Sequence, residues 1–190
     1  MNLLNFADRT LDVPYIGVLS TDIVLTTEGP KVLGYSAHFN SAAAQSLLPL
    51  LGSDTSLASI MQACMQGCLQ DVSCNWEKKI SVMVSISAAS EGQEIKIPKR
   101  FGRFLSHTLS RTSADLCIED GNRIYFDGGV KGIRNPKNLT KIMRLQTTRG
   151  RVLGVCSIAE NLEQARNTVY QLVGQIDLEG KVYDNTVGNW

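Results

Sequence analysis

No run of apolar residues in this sequence approaches the roughly 20 needed to span a bilayer. The first residues, Met1 to Asp8, lack the basic start and long apolar stretch of a secretory signal. An excess of charge of one sign is missing too. Nineteen Lys and Arg against eighteen Asp and Glu leave a formal net charge of +1, which argues against a phosphate-backbone binder. No nucleic-acid partner and no membrane association are therefore expected. There are only two histidines, His38 and His107, and neither sits at a ligand spacing from the cysteines. Ser/His/Asp triads, P-loops and Gly-x-Gly-x-x-Gly phosphate loops are absent as sequence motifs. What is present is a chain of 190 residues, 43% hydrophobic, long enough to bury the core of one domain, or of one domain with a small lobe. The expectation is a globular cytoplasmic protein.

The five cysteines are placed as structural residues would be. Leu57, Ile60, Met61, Cys64, Met65, Cys68 and Leu69 follow the i, i+3, i+4, i+7 spacing of a one-faced helix. On such a face a thiol acts as a small hydrophobe, so Cys64 and Cys68 read as core and not as metal ligands. Strand signals dominate elsewhere. Tyr15 to Leu25 is an apolar, β-branched run, and Thr26-Thr27-Glu28-Gly29-Pro30 turns it back into Lys31-Val32-Leu33, an antiparallel hairpin. Ile80, Val82, Val84, Ile86 and Ala88 alternate with Ser81, Met83, Ser85 and Ser87, which marks a half-buried strand. Glu119 to Asn122 reads as a turn into the strand Arg123 to Phe126, and Arg151 to Cys156 as a short buried strand. Asn161 caps a last helix whose face carries Leu162, Ala165, Val169, Leu172, Val173 and Ile176. Lys131 to Thr140, with Gly132, Asn135, Pro136 and Asn138, reads as a loop. The predicted class is α+β, antiparallel sheets with few helices. A polar stretch at Asp71 to Asn75 divides residues 1–75 from a β-rich lobe at 76–190.

The residues then become familiar. Pro14-Tyr15-Ile16-Gly17-Val18-Leu19, Thr26 to Leu33, Leu47-Leu48-Pro49-Leu50-Leu51, Trp76, Ala89-Ser90, Tyr125 to Lys131, Gly150 to Val155, Leu178 to Tyr183 and Gly188 follow one another in order. The series resembles phosphoribosylamine–glycine ligase, an ATP-grasp ligase of purine synthesis, over nearly the whole chain. The resemblance implies the last section of an ATP-grasp domain, a remnant lobe at 1–75, followed by the small C-terminal domain. It also implies that the nucleotide-binding lobe, with its lysines and adenine hinge, lies outside this sequence. With Met1 so close to the start of the match, a complete small protein is the expectation.

The departures from that pattern are informative. The resemblance implies a glutamate and an asparagine as magnesium ligands after Leu33. Here those positions hold Gly34 and Ser36, which offer a hydrogen atom and a hydroxyl to a hard dication. The following arginine is His38, and the family's Gly-Asp-Pro-Glu loop is Asn40-Ser41-Ala42-Ala43. In the second lobe, a shortened loop holds Glu91-Gly92-Gln93, Asp127 stands where a histidine is expected, and Thr186 replaces an aspartate. The pattern fits a retained scaffold whose ATP-dependent reaction was abandoned, with no cofactor and no metal.

The candidate catalytic residues are His38 and Asp127. Strand alternation puts Gly34, Ser36 and His38 on one face, where the metal ligands would project. A histidine there serves as acid, base or hydrogen-bond donor, and the competing reading is a partly exposed sheet histidine. Asp127 beside Gly128-Gly129 could orient a ligand or act as a turn aspartate. Gly34, Tyr35, Ser36, Phe39, Glu91 and Arg151 are the candidate substrate-binding residues. The leading expectation is a cofactor-free cyclase, isomerase or pericyclase acting on an apolar small molecule of specialised metabolism. Two alternatives remain, a non-catalytic binding or regulatory subunit, with a homodimer as one assembly, and half of a split purine-synthesis ligase.

Overall fold

The computed structural model describes residues 15–97, 115–117, 121–135 and 138–189. The chain divides into two compact units. The first takes the described residues up to Ala43 together with Leu51–Glu77, and the second takes Ala44–Leu50 with Lys78 onward. His107 and the first half of the Glu119–Asn122 turn, Glu119 and Asp120, lie outside the described residues.

The first unit holds one antiparallel hairpin, β1 (Ser20–Thr26) and β2 (Gly29–Ser36). Its turn is closed by Thr26, whose hydroxyl donates to the Gly29 carbonyl at 2.7 Å, while Gly29 supplies a positive φ of 101°. The register shifts between Asp22 and Ile23. Strand structure begins only at Ser20, so the apolar run starting at Tyr15 is not strand throughout. Ile23, Leu25, Val32 and Leu33 are all more than half exposed in this unit.

Asn40 accepts from the Ala42 amide at 3.0 Å and opens a short helix, α1 (Ser41–Leu47). In the first unit α2 (Leu57–Gln66) is capped by Ser56, whose side chain accepts from the Ser59 amide, and is ended by Gly67 in the left-handed region. Here the core expectation is corrected. Only Ala63 is buried on α2, Met61 and Met65 are exposed, and Cys64 and Cys68 are half-buried. The apolar spacing makes a helix, but the described residues of the unit do not cover its stripe.

The second unit carries the core. β3 (Ile80–Ala88), β9 (Arg151–Ala159), β6 (Arg123–Phe126), β5 (Asp115–Cys117) and β10 (Lys181–Val182) form an antiparallel sheet in the order β10-β3-β9-β6-β5. On one face Val82, Val84 and Ile86, with Leu153, Val155 and Ile124, pack against Ala165, Val169, Leu172 and Val173 of α3 (Leu162–Gln175). The period of two in β3 and the helical stripe of α3 meet in that layer. Asn161 caps α3 through the Gln164 amide at 2.9 Å. Lys181 Nζ donates to the Val173 and Ile176 carbonyls at 2.8 and 2.9 Å, satisfying the helix C-terminus with a cation. Asn161→Ala is expected to cost about 1 kcal/mol of stability, measured by urea unfolding; no change would deny the cap.

The segment Lys131 to Thr140 is not a loop. β7 (Val130–Asn135) and β8 (Asn138–Thr147) pair as a hairpin, and β8 also pairs with β4 (Glu94–Ile95). Of the residues that suggested a loop, Asn135 and Asn138 pair at the hairpin end and Gly132 pairs with Leu145 within the ladder, while Ile133, Leu139 and Ile142 sit in strand; Pro136 lies outside the described residues.

Candidate functional site

The candidate residues fall into two groups. Gly34, Tyr35, Ser36, His38 and Phe39 belong to the first unit, and Glu91, Asp127 and Arg151 to the second.

In the first unit β2 stops at Ser36, so His38 lies beyond the strand and does not share its alternation. Its Nδ1 faces the Phe39 carbonyl oxygen at 3.0 Å, which calls for the Nδ1–H tautomer and leaves Nε2 as the acceptor. The Ser20 hydroxyl donates to the His38 carbonyl at 3.0 Å and fixes the backbone there. His38 and Tyr35 are exposed, Ser36, Gly34 and Phe39 half-buried. Nothing within 4 Å would meet a side chain built on Gly34. The magnesium implied by the resemblance does not fit this donor set. The strand offers a hydroxyl and no carboxylate, and among the described residues no three His, Cys, Asp or Glu converge on a point where they could hold a metal.

In the second unit Asp127 and Arg151 are brought together. Arg151 Nε donates to Oδ2 at 2.6 Å and its terminal nitrogen to Oδ1 at 3.0 Å, a two-pronged pair. The side chains are only 14% and 27% exposed. Hydrogen bonding to Asp127 holds the Arg151 guanidinium above its ordinary value, against the opposing effect of burial. Gln45 of α1 adds a third donor, Nε2 to Oδ1 at 3.4 Å. Neither Gln45 nor its pairing with Asp127 carries a sequence signal, since 82 residues separate the two. The only hint is Gly154 in the middle of a buried strand, where a methyl would overlap the Gln45 side-chain oxygen.

Of the two glycines beside Asp127, Gly129 approaches the protein's own backbone, while Gly128 has open space around it. A methyl on Gly129 would run into the Arg151 carbonyl, and the Gly129 amide donates to that same oxygen at 2.9 Å. Glu91 is exposed and pairs with exposed Arg149 at 2.6 Å, a contact worth little in water. Its loop is tied down by Thr147, fully buried, which donates to the Ser90 carbonyl at 2.9 Å and accepts from the Gln93 amide at 3.0 Å.

Cys156 lies buried beside Ser81, Oγ to Sγ 3.2 Å. Burial pushes its thiol up, with Ser81 and Arg123 opposing, so the thiolate fraction at neutral pH falls. Cys156 is expected to resist iodoacetamide at pH 8 while exposed Cys74 is labelled, as read by peptide mapping. Equal labelling would refute the burial.

An antiparallel sheet backed by one helix, preceded by a hairpin unit, is the arrangement of the C-terminal portion of an ATP-grasp ligase. A solved phosphoribosylamine–glycine ligase from Thermotoga maritima superposes with a TM-score of 0.59 at 20% identity, over 88% of this chain and 36% of that one. In sequence the chain is homologous to the C-terminal portion of phosphoribosylamine–glycine ligases. It is 30% identical to that of Caldanaerobacter subterraneus subsp. tengcongensis over 94% of this chain and 37% of the relative. It is 31% identical to the trifunctional purine biosynthetic protein adenosine-3 of Gallus gallus, over 95% of this chain and 17% of the relative. The chain thus spans little more than a third of the bacterial ligases it matches. No protein-family model matches it. Among the described residues no helix is long and apolar enough to cross a membrane.

Proposed function

We propose that the chain is a ligase-derived module that has lost ATP-dependent ligation and acts, without cofactor, on an apolar small molecule. The observation that carries this reading is β2. Gly34 and Ser36 occupy the positions where the resemblance implies magnesium ligands, with open space at Gly34. A surface of Gly34, Ser36, Phe39 and His38 is less polar than one built to hold a metal and phosphates. It offers one imidazole and one hydroxyl, with the exposed Asp22 carboxylate on β1 as the cross-strand partner of Gly34. Such a set speeds a cyclisation, isomerisation or pericyclic step by holding one conformer and hydrogen-bonding developing charge, contributions that together remove several kcal/mol of barrier. The test is turnover of candidate polycyclic substrates with ATP omitted and EDTA present. Turnover that persists, and falls at least about tenfold in His38→Ala, supports the reading; turnover that needs ATP or a divalent cation overturns it.

The relatives favour a second reading, in which this chain is one part of a purine-synthesis ligase. The exposed apolar hairpin β1–β2 adds to it, because a two-stranded sheet alone in water is marginal. The occupant of that hairpin would be the remaining, nucleotide-binding part of such a ligase. Mixing this chain with the N-terminal two-thirds of the Caldanaerobacter enzyme tests it directly. ATP-dependent joining of phosphoribosylamine to glycine by the mixture, and by neither piece alone, would establish the second reading and displace the first.

A further inference from the structure

The outer face of α3 carries a groove that neither reading uses. It has a volume of about 620 Å³ and is lined by Arg166, Asn167, Tyr170, Gln171, Tyr183 and Asn185, within the usual size range of small-ligand sites. Two tyrosines form its apolar wall, with ring centroids 6.3 Å apart and planes at 42°. Tyr170 is anchored from below, its hydroxyl donating to the Asp184 carbonyl at 2.9 Å, and burial raises that hydroxyl above the ordinary tyrosine value. Tyr183 is the looser of the two, 37% exposed, and presents a ring to an incoming flat molecule.

Arg166 is the second element. Its guanidinium carbon lies over the Tyr170 ring, 5.2 Å from the centroid, a cation–π contact that holds the group beside the ring. Gly188, at a positive φ of 76°, lies against the Arg166 stem, where an added methyl would sit at ordinary contact distance, 3.4 Å from the Arg166 Cδ. The guanidinium is under-used. One terminal nitrogen reaches the Asn185 carbonyl at 3.4 Å, Nε is buried with no acceptor, and no carboxylate pairs with Arg166 among the described residues. Asp184, between the lining residues Tyr183 and Asn185, is turned to Thr186, accepting from its amide at 2.8 Å and its hydroxyl at 2.6 Å. Asn167 and Gln171 stand one turn apart on the helix and place two side-chain amides at the rim.

We infer that this groove binds a flat aromatic carboxylate: ring against Tyr183, carboxylate on the Arg166 guanidinium, and a ring hydroxyl read by the Asn167 and Gln171 amides. A planar guanidinium lacking a counter-ion beside exposed aromatic surface selects for a ring and an oxyanion in one molecule. Either group alone satisfies only half of the groove.

The test is an NMR titration of the full chain, labelled with ¹⁵N, using hydroxynaphthoate as the probe, naphthol as ring without anion and acetate as anion without ring. Hydroxynaphthoate is expected to saturate, with a dissociation constant on the order of a millimolar or tighter, and to move the resonances of Arg166, Gln171, Tyr183 and Asn185. Arg166→Met keeps the stem over Tyr170 and is expected to weaken binding about tenfold or more, the usual worth of a hydrogen bond to a charged group. Arg166→Lys should recover only part of it. If Arg166→Met alters the spectrum beyond the groove, Tyr183→Ala serves in its place with a similar loss. Naphthol binding as tightly as hydroxynaphthoate, acetate moving the same resonances to the same extent, or no saturable shift at millimolar probe would each overturn the assignment.

Discussion

Gly129→Ala is expected to destabilise the second unit by about 3 kcal/mol, at the upper end of overpacking costs, and to lower its melting temperature by on the order of ten degrees. The new methyl meets backbone and not a side chain that can swing away. The Arg151 carbonyl carbon would lie 2.8 Å from it and the Gly150 oxygen 3.2 Å. Relief requires pulling the Asp127–Val130 turn off β9, and with it the Gly129 amide bond to Arg151 at 2.9 Å and the Thr148 amide bond to Gly129 at 2.7 Å. Gly128 is the internal control. A methyl there meets nothing within 4 Å, so Gly128→Ala should stay within about 0.5 kcal/mol of the parent. Equal effects from the two substitutions would mean that the turn does not sit on β9 as described.

Asp127→Ala is expected to cost about 2–3 kcal/mol, below the full 3–5 of a deeply buried pair because both groups keep some solvent. The loss comes from leaving Arg151 in a mostly buried position without its carboxylate. Adding Arg151→Met should return part of the stability, since the second substitution removes the stranded charge. Additive losses in that double-mutant cycle would show that the two side chains are not coupled. The pair also bears on chemistry. An Asp127 whose two oxygens already accept from Arg151 and Gln45 has little capacity left for a substrate proton, so its destabilising effect should be larger than any effect on turnover of the folded variant.

Much of the second unit was legible in the sequence for a physical reason. β3 has one face on α3 and one facing away, so its side chains had to alternate, and α3 had to show both a stripe and a cap. The hairpin β7–β8 was hidden because Gly132, Asn135, Pro136 and Asn138 spread turn chemistry over seven residues, masking the strand residues around them. α2 shows the opposite failure: its apolar spacing promised burial that Met61 and Met65 do not have. Spacing reports what a segment can form, while burial depends on what is placed against it. The Asp127–Arg151 pair joins residues 24 apart, and local pattern carries no signal for a contact across a sheet. His38 was placed on a face by extending β2 two residues too far, and the strand ends where the backbone bends after Ser36.

The measurement that bears most directly on the central claim is thermal unfolding of the protein with Mg-ATP and, separately, with a panel of apolar polycyclic metabolites. A ligand at 100 times its dissociation constant that binds only the folded state adds about 2.7 kcal/mol, a rise of several degrees for a domain of this size. If Gly34 and Ser36 stand where the resemblance implies magnesium ligands, as proposed, Mg-ATP should leave the transition where it is while a member of the apolar panel raises it. A rise with Mg-ATP would contradict the account.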